Sequence, residues 1–125
     1  MNPTFEQWPP NLRVEVFGVS ARTWRNGLHG PTRATTDPVT LMVWLWAEEL
    51  FTASDVALVY YGIDTHPDRC VELRIRVFPT VRLLIGSREI SRSDTAFLSR
   101  HELSAWVHEK LDEYFGAADK SARTA

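Results

Sequence analysis

Cysteine is almost absent from this sequence, since Cys70 is the only one among 125 residues. An intrachain disulfide, a Cys-x-x-Cys motif and a zinc or iron–sulfur centre built from the cysteines of one chain are therefore excluded. Long apolar runs are absent as well. No run reaches the ~18 residues that a membrane-spanning helix needs, so we expect no membrane segment.

Neither sign of charge dominates the composition. Lys and Arg total 14 and Asp and Glu total 16, which gives a net charge of −2. This balance excludes a large electrostatic footprint for nucleic acid. A local patch of Arg22, Arg25 and Arg33 around Trp24 could bind single-stranded nucleic acid. Solvated charges are the simpler interpretation, and we expect no nucleic-acid partner.

The first ten residues lack the basic and apolar regions of a signal peptide, so we expect a cytoplasmic protein.

The overall composition predicts one domain. Hydrophobic residues make up 44% and charged residues 24% of the chain, as in average globular proteins, and this length can bury a core without disulfides or metal. The proline-rich start and the small, polar end predict an arm over 1–11, a domain over 12–116 and a disordered tail over 117–125. The four histidines have no ligand spacing, so we predict no metal site and no cofactor.

In the first half of the chain the periodicity predicts a strand, a loop and a helix. Leu12–Phe17 alternates between apolar and polar residues as a strand does. Ser20–Thr36 has no period, and such long connections are usually functional or disordered. Asp37-Pro38 offers an N-cap and a first-turn proline, so the apolar residues that follow predict a helix to Phe51. A strand over 41–47 is the alternative.

In the second half the pattern predicts a strand over 55–63, because its apolar residues are continuous. A helix should follow His66-Pro67, although 71–77 alternates as a strand would and leaves both structures open. Two strands around Gly86-Ser87 predict a hairpin.

The last element is predicted to be a helix. Ser99 and Glu102 form a capping box, and Leu98 can pack on Leu103 as a hydrophobic staple. Apolar residues then recur at steps of three and four, and Gly116 is placed where a helix would end.

This order of elements resembles that of the thioredoxins. Leu73–Thr80 resembles the thioredoxin segment that ends in Ile-Pro-Thr, whose proline is cis and borders the active site. Gly62-Ile63-Asp64 resembles the end of the preceding strand, and Ser99–Leu111 resembles the closing helix. The resemblance covers 56–115 and implies a single thioredoxin-like α/β domain with a central four-stranded mixed sheet flanked by helices. It also implies a cis Phe78–Pro79 bond and a helix over 68–77.

The chemistry departs from that family. Thioredoxin-like proteins carry Cys-x-x-Cys or a lone cysteine after the first strand, and Gly18–Trp24 contains no sulfur. Disulfide exchange needs a thiolate, and the hydroxyls of Ser20 and Thr23 cannot replace it near neutral pH without a dedicated base. We interpret Cys70 as a buried core residue, with a redox-active thiol as the alternative.

The sequence therefore predicts a redox-inactive module that binds a protein or peptide or acts in assembly. The alternative is a thiol–disulfide oxidoreductase or a glutathione-utilising enzyme that works through Cys70 or Ser20, with Ser93-Asp94 holding the amino end of glutathione. Trp8 and Trp24 are either exposed binding anchors or side chains folded back over the sheet edge. The predicted groove consists of Ser20, Ala21, Arg22, Thr23 and Trp24 on the loop and Phe78, Pro79 and Thr80 at the proline turn.

Overall fold

A computed structural model describes residues 8–19, 38–52, 54–63, 66–94 and 97–116, together with the backbone of 24–25, 28–29 and 117–124. The strands are β1 (Leu12–Gly18), β2 (Trp24–Arg25), β3 (Leu28–His29), β4 (Ala57–Gly62), β5 (Thr80–Ile85) and β6 (Arg88–Ser93). The helices are α1 (Pro38–Phe51), α2 (Pro67–Glu72) and α3 (Arg100–Thr124).

Four of the strands form one mixed sheet in the order β4-β1-β5-β6. The first strand of the chain, β1, is central: it runs parallel to β4 and antiparallel to β5. Val14, for example, pairs with Leu58 on one side and with Leu83 on the other. The predicted four-stranded mixed sheet flanked by helices is confirmed.

Helices α1 and α3 cover one face of the sheet with apolar side chains. The inward residues of α3 recur every fourth position, at Leu103, Val107 and Leu111, as helix geometry requires for one face. The core on this face consists of Leu12, Val14, Val16, Val43, Trp44, Ala47, Phe51, Tyr60, Val81, Leu83, Leu103, Val107 and Leu111.

Trp8 is partly buried against this core and is not a free anchor. Its indole N–H donates to the carbonyl of Leu50 over 3.1 Å, and its ring lies 4.9 Å from that of Phe51 and 4.6 Å from that of His108. Trp8 is therefore folded back, but it packs against α1 and α3 instead of the sheet edge that was expected. His108, one of the four histidines without ligand spacing, is half-buried in this stack.

Helix α2 lies on the opposite face of the sheet. There Phe17, Cys70 and Ile75 form a second, smaller cluster, against which Tyr61, Leu73 and Phe78 pack. The helix predicted over 68–77 ends at Glu72, and the residues up to Pro79 are not helical. The alternative strand at 41–47 is wrong, because those residues are part of α1.

The start of α3 is capped as predicted, but without the staple. The backbone N–H of Glu102 donates to the Ser99 hydroxyl over 3.1 Å. Leu98, however, is 80% exposed, and Phe97 packs on Trp106 instead, with 5.4 Å between their ring centroids. The predicted Leu98–Leu103 contact is therefore wrong.

Helix α3 also continues past its predicted end at Gly116, so that prediction is wrong. Glycine in a helix costs about 1 kcal/mol relative to alanine, and the alanines and cations that follow it are strong helix formers.

Strands β2 and β3 form a two-stranded ribbon, with Trp24 opposite His29. This ribbon lies inside Ser20–Thr36, the stretch predicted to lack secondary structure. The division of the chain into arm, domain and tail stays a prediction. No helix of the described residues is long and apolar enough to cross a bilayer.

Candidate functional site

The predicted groove residues fall into two groups. Ser20, Ala21, Arg22, Thr23 and the side chain of Trp24 lie outside the described residues. Phe78, Pro79 and Thr80 connect α2 to β5, and the Phe78–Pro79 bond is cis, as the resemblance implies.

At the proline turn, the side chain of Val77 is more exposed than those of the predicted groove residues Phe78, Pro79 and Thr80. Pro79 is buried and Thr80 is only 2% exposed, and the Thr80 hydroxyl donates to the carbonyl of Val77. Phe78 is half-buried against Cys70 and its neighbours, whereas Val77 is 46% exposed. The side chains that a partner could reach at this turn are therefore those of Val77 and its neighbour Arg76.

A cavity of about 240 Å³ lies beside this turn, between the end of α2 and the end of β6. Sequence reasoning noted Asp94 in this region but missed the three arginines, which come from two separate segments. The cavity is lined by Arg74, Ile75, Arg76, Val77, Thr80, Arg92 and Asp94.

Arg74 lies two residues after the last residue of α2, where the chain turns to run along the cavity. The N–H of Ile75 donates to the carbonyl of Cys70 over 2.8 Å, and the N–H of Arg74 donates to the carbonyl of Val71 over 3.0 Å. This pair of bonds is a Schellman motif, whose left-handed residue is usually glycine. Arg74 adopts that conformation with φ of 60°. It therefore has a conformation that is unfavourable for a residue with a side chain.

Arg92 fixes the opposite wall of the cavity. Its guanidinium donates to both carboxylate oxygens of Glu89, from Nε over 2.9 Å and from Nη2 over 2.7 Å. Its Nη1 donates to the carbonyl of Leu73 over 2.7 Å. Because bidentate, charge-assisted bonds hold a side chain in one geometry, β6 and the end of α2 are held together at the cavity.

A buried charged cluster supports this wall from the middle of the sheet. Glu15 on β1 is completely buried and accepts from Arg82 and from Arg13, each over 2.7 Å. Arg82 also donates to Glu89, so hydrogen bonds run from Glu15 through Arg82 and Glu89 to Arg92. The strand register places these residues together, since Glu15 pairs with Arg82 and Arg82 with Arg92.

Arginine neighbours change the acidity of Glu89. Hydrogen bonds from Arg92 lower the pKa of this carboxyl below its ordinary value of 4.5, partial burial opposes them, and hydrogen bonds from Arg82 lower it further. Glu89 is therefore charged throughout the neutral range, and it keeps both guanidiniums in place.

Cys70 is a packed core residue. It is 1% exposed and contacts Phe17 and Ile75, which confirms the core interpretation. Burial raises the pKa of its thiol, because an apolar environment disfavours the thiolate. The thiol is therefore protonated at neutral pH and has no access to a substrate disulfide.

The structure describes three residues of the enzyme alternative. Ser93 ends β6 and Asp94 lines the cavity, Cys70 is buried on α2, and Ser20 lies outside the described residues. Within the described part of the chain, no group of three His, Cys, Asp or Glu side chains could hold a metal ion.

Comparisons with solved structures establish the fold. A mutant thioredoxin from Halobacterium salinarum is similar over 80% of this chain and 74% of its own, with a TM-score of 0.59 and 12% identity. Mitochondrial thioredoxin 3 from Saccharomyces cerevisiae covers 79% and 78%, with a TM-score of 0.57 and 18% identity. Thioredoxin O2 from Arabidopsis thaliana covers 78% and 73%, with a TM-score of 0.53 and 16% identity.

No family model matches the chain, and no curated protein matches its sequence. Identities this low carry information about the fold alone. The chain is an α/β domain with the thioredoxin-like fold, as the resemblance implied.

Proposed function

We propose that this protein is a redox-inactive thioredoxin-like module that binds an extended protein or peptide segment in a groove beside Pro79. We define the proline groove as Arg76, Val77 and Phe78 together with the cavity next to them. The loop residues Ser20–Trp24 are proposed as its second wall.

The observation that carries this proposal is that the backbone of the groove pairs with no other described strand, although the carbonyl of Val77 accepts from the Thr80 hydroxyl. Within the described part of the chain, Arg76, Val77 and Phe78 make no backbone–backbone hydrogen bond to another residue. Backbone amides and carbonyls are strong hydrogen-bonding groups, and an extended partner segment can satisfy them as an added strand. Exposed Val77 adds an apolar contact beside them.

The state of Cys70 supports a binding role over the oxidoreductase alternative. Disulfide exchange requires an accessible thiolate and, for release, a second thiol. The only cysteine of the chain is buried and its pKa is raised. We therefore expect the protein not to accelerate the reduction of insulin by dithiothreitol. Acceleration that disappears in Cys70→Ser would favour the enzyme instead.

The binding role is tested with peptides selected from a random display library on the wild-type protein. We expect Val77→Asp to abolish the binding of the selected peptides, because it removes the apolar contact and places a carboxylate at the groove. Val71→Asp is the matched control, since Val71 is 77% exposed on α2 and lies outside the cavity lining. Equal binding by both variants, with both folded, would refute the groove.

The loop wall is tested with Trp24→Ala. A tryptophan anchor at an interface contributes about 2 kcal/mol or more to binding, so the variant should bind the selected peptides at least tenfold more weakly with an unchanged thermal midpoint. Unchanged binding would remove the loop from the proposed groove.

A further inference from the structure

Two arginines of the proline groove have no anionic partner among the described residues. Arg92 already donates hydrogen bonds to Glu89 and to the carbonyl of Leu73. Arg74 and Arg76 line the same cavity and are exposed, and no described carboxylate forms an ion pair with either of them. Among the described residues, Asp94 is the one carboxylate that lines the cavity. The groove of a chain with net charge −2 is therefore locally positive.

The conformation of Arg74 is a second, independent observation. A left-handed residue with a side chain costs about 1 kcal/mol or more relative to glycine. A cation at the C-terminal end of a helix recovers part of this cost, but α2 has only six residues. The side chain at this unfavourable position faces the cavity that Arg76 also lines.

We propose that the proline groove selects acidic partners: extended segments in which Asp or Glu lies next to an apolar residue. This inference rests on the proposed function and deepens it. Arg76 and Val77 both line the cavity and are exposed, so the groove offers a guanidinium and an apolar side chain to one partner. The complementary partner has a carboxylate beside an aliphatic side chain, and its backbone pairs with Arg76–Phe78.

The test uses fluorescein-labelled decapeptides and fluorescence anisotropy with the full chain. Each peptide has two central valines, each flanked by Glu in the first peptide, by Gln in the second and by Lys in the third. We expect the Glu peptide to bind about fivefold tighter than the Gln peptide, as one or two partly exposed ion pairs allow, and the Lys peptide to bind most weakly. The advantage should shrink in about 0.5 M salt.

Matched variants assign the selectivity to the groove. Arg76→Gln should remove the advantage of the Glu peptide over the Gln peptide. Arg88→Gln changes the net charge equally, but Arg88 is exposed at the turn end of the β5–β6 hairpin, away from the cavity. This control should retain the full advantage of the Glu peptide.

The failure of this inference is distinguishable from the failure of the proposed function. Equal binding of the three peptides, alongside Val77-dependent binding of the display-selected ones, would overturn the acidic preference and leave the groove standing. The same loss in Arg76→Gln and Arg88→Gln would mean a general charge effect and would also overturn it. If millimolar glutathione displaces every peptide equally, the groove is a glutathione site and the inference is wrong.

Discussion

Arg74 is the residue whose backbone and side chain are most in conflict. Among the described residues, Asn11 and Arg74 are the non-glycine residues with positive φ, 70° and 60°. Asparagine tolerates this region because its short polar side chain bonds locally, whereas arginine gains no such compensation. The Schellman motif at the end of α2 would form more readily with glycine at this position.

Arg74→Gly should therefore stabilise the protein by about 1 kcal/mol in urea denaturation. Arg74→Ala keeps the unfavourable conformation and removes the same charge, so its stability should stay near that of the wild type. If the two variants are equally stable, the left-handed conformation does not carry the cost assigned to it.

Gly18 marks the opposite case, where the lack of a side chain is required by its neighbours. A Cβ atom at Gly18 would overlap the Tyr60 hydroxyl and the Thr40 methyl group. Gly18→Ala should lower the free energy of unfolding by about 2 kcal/mol, as overpacking does.

Gly116→Ala is the control for that substitution. A Cβ at Gly116 meets open space, and alanine favours the helix, so we expect stabilisation of about 0.5 kcal/mol in the same urea titration. A stable Gly18→Ala variant would mean that Tyr60 moves aside without cost.

At the scale of elements, the sequence predicts those helices and strands that carry a local signal. The capping box at Ser99, the Asp37-Pro38 start of α1 and the Gly86-Ser87 turn each depend on neighbouring residues alone, and the structure has helices or a hairpin at all three. The β2–β3 ribbon was missed although Asn26-Gly27, a dipeptide typical of two-residue hairpins, stands between its paired residues.

The cavity could not be predicted in the same way, because its residues meet only after the strands have paired. Alternation in β1 puts Leu12, Val14 and Val16 on one face of the strand and the charged Arg13 and Glu15 on the other. Whether that face is exposed depends on α2 and on the register of β5, which set Arg82 opposite Glu15. Neither is encoded within the strand itself.

The buried charges of this face should be essential for stability. Glu15→Ala leaves the guanidinium of Arg82, which is 9% exposed, without its buried partner, and breaking a buried pair costs about 3 kcal/mol or more. Glu49→Ala is the control, since the pair between Glu49 and Arg100 is more than half exposed and should contribute less than about 0.5 kcal/mol. Equal losses in thermal or urea unfolding would contradict this distinction.

At the scale of the whole molecule, the two faces of the sheet are filled by different interactions. Apolar packing with α1 and α3 fills one face, while ion pairs between Glu15, Glu89 and their arginines occupy much of the other. Apolar packing is insensitive to protonation, whereas the ion pairs require charged carboxylates. The molecule should therefore respond to acid mainly through the second face.

Stability should fall below pH 4.5 and depend on Glu89. Its pKa is lowered in the folded protein by Arg92 and Arg82, so its contribution is complete above the unfolded value of about 4.5 and is lost as the pH falls through the folded value. Urea unfolding between about pH 6 and pH 3 should give a shallower acid loss for Glu89→Gln than for the wild type. Identical slopes would show that other groups carry the acid response.

The central position of β1 has a consequence for folding kinetics. Val14 pairs with Leu58 and Leu83. The ribosome therefore synthesises β1 long before the two strands, β4 and β5, with which it pairs. Contacts between residues distant in sequence slow folding, because the chain entropy is lost before the contacts form. During synthesis one edge of β1 stays unpaired until β4 has left the ribosome and the other until β5 has. In the meantime this strand exposes unpaired backbone and apolar side chains, so it is a segment of the nascent chain that a chaperone would protect.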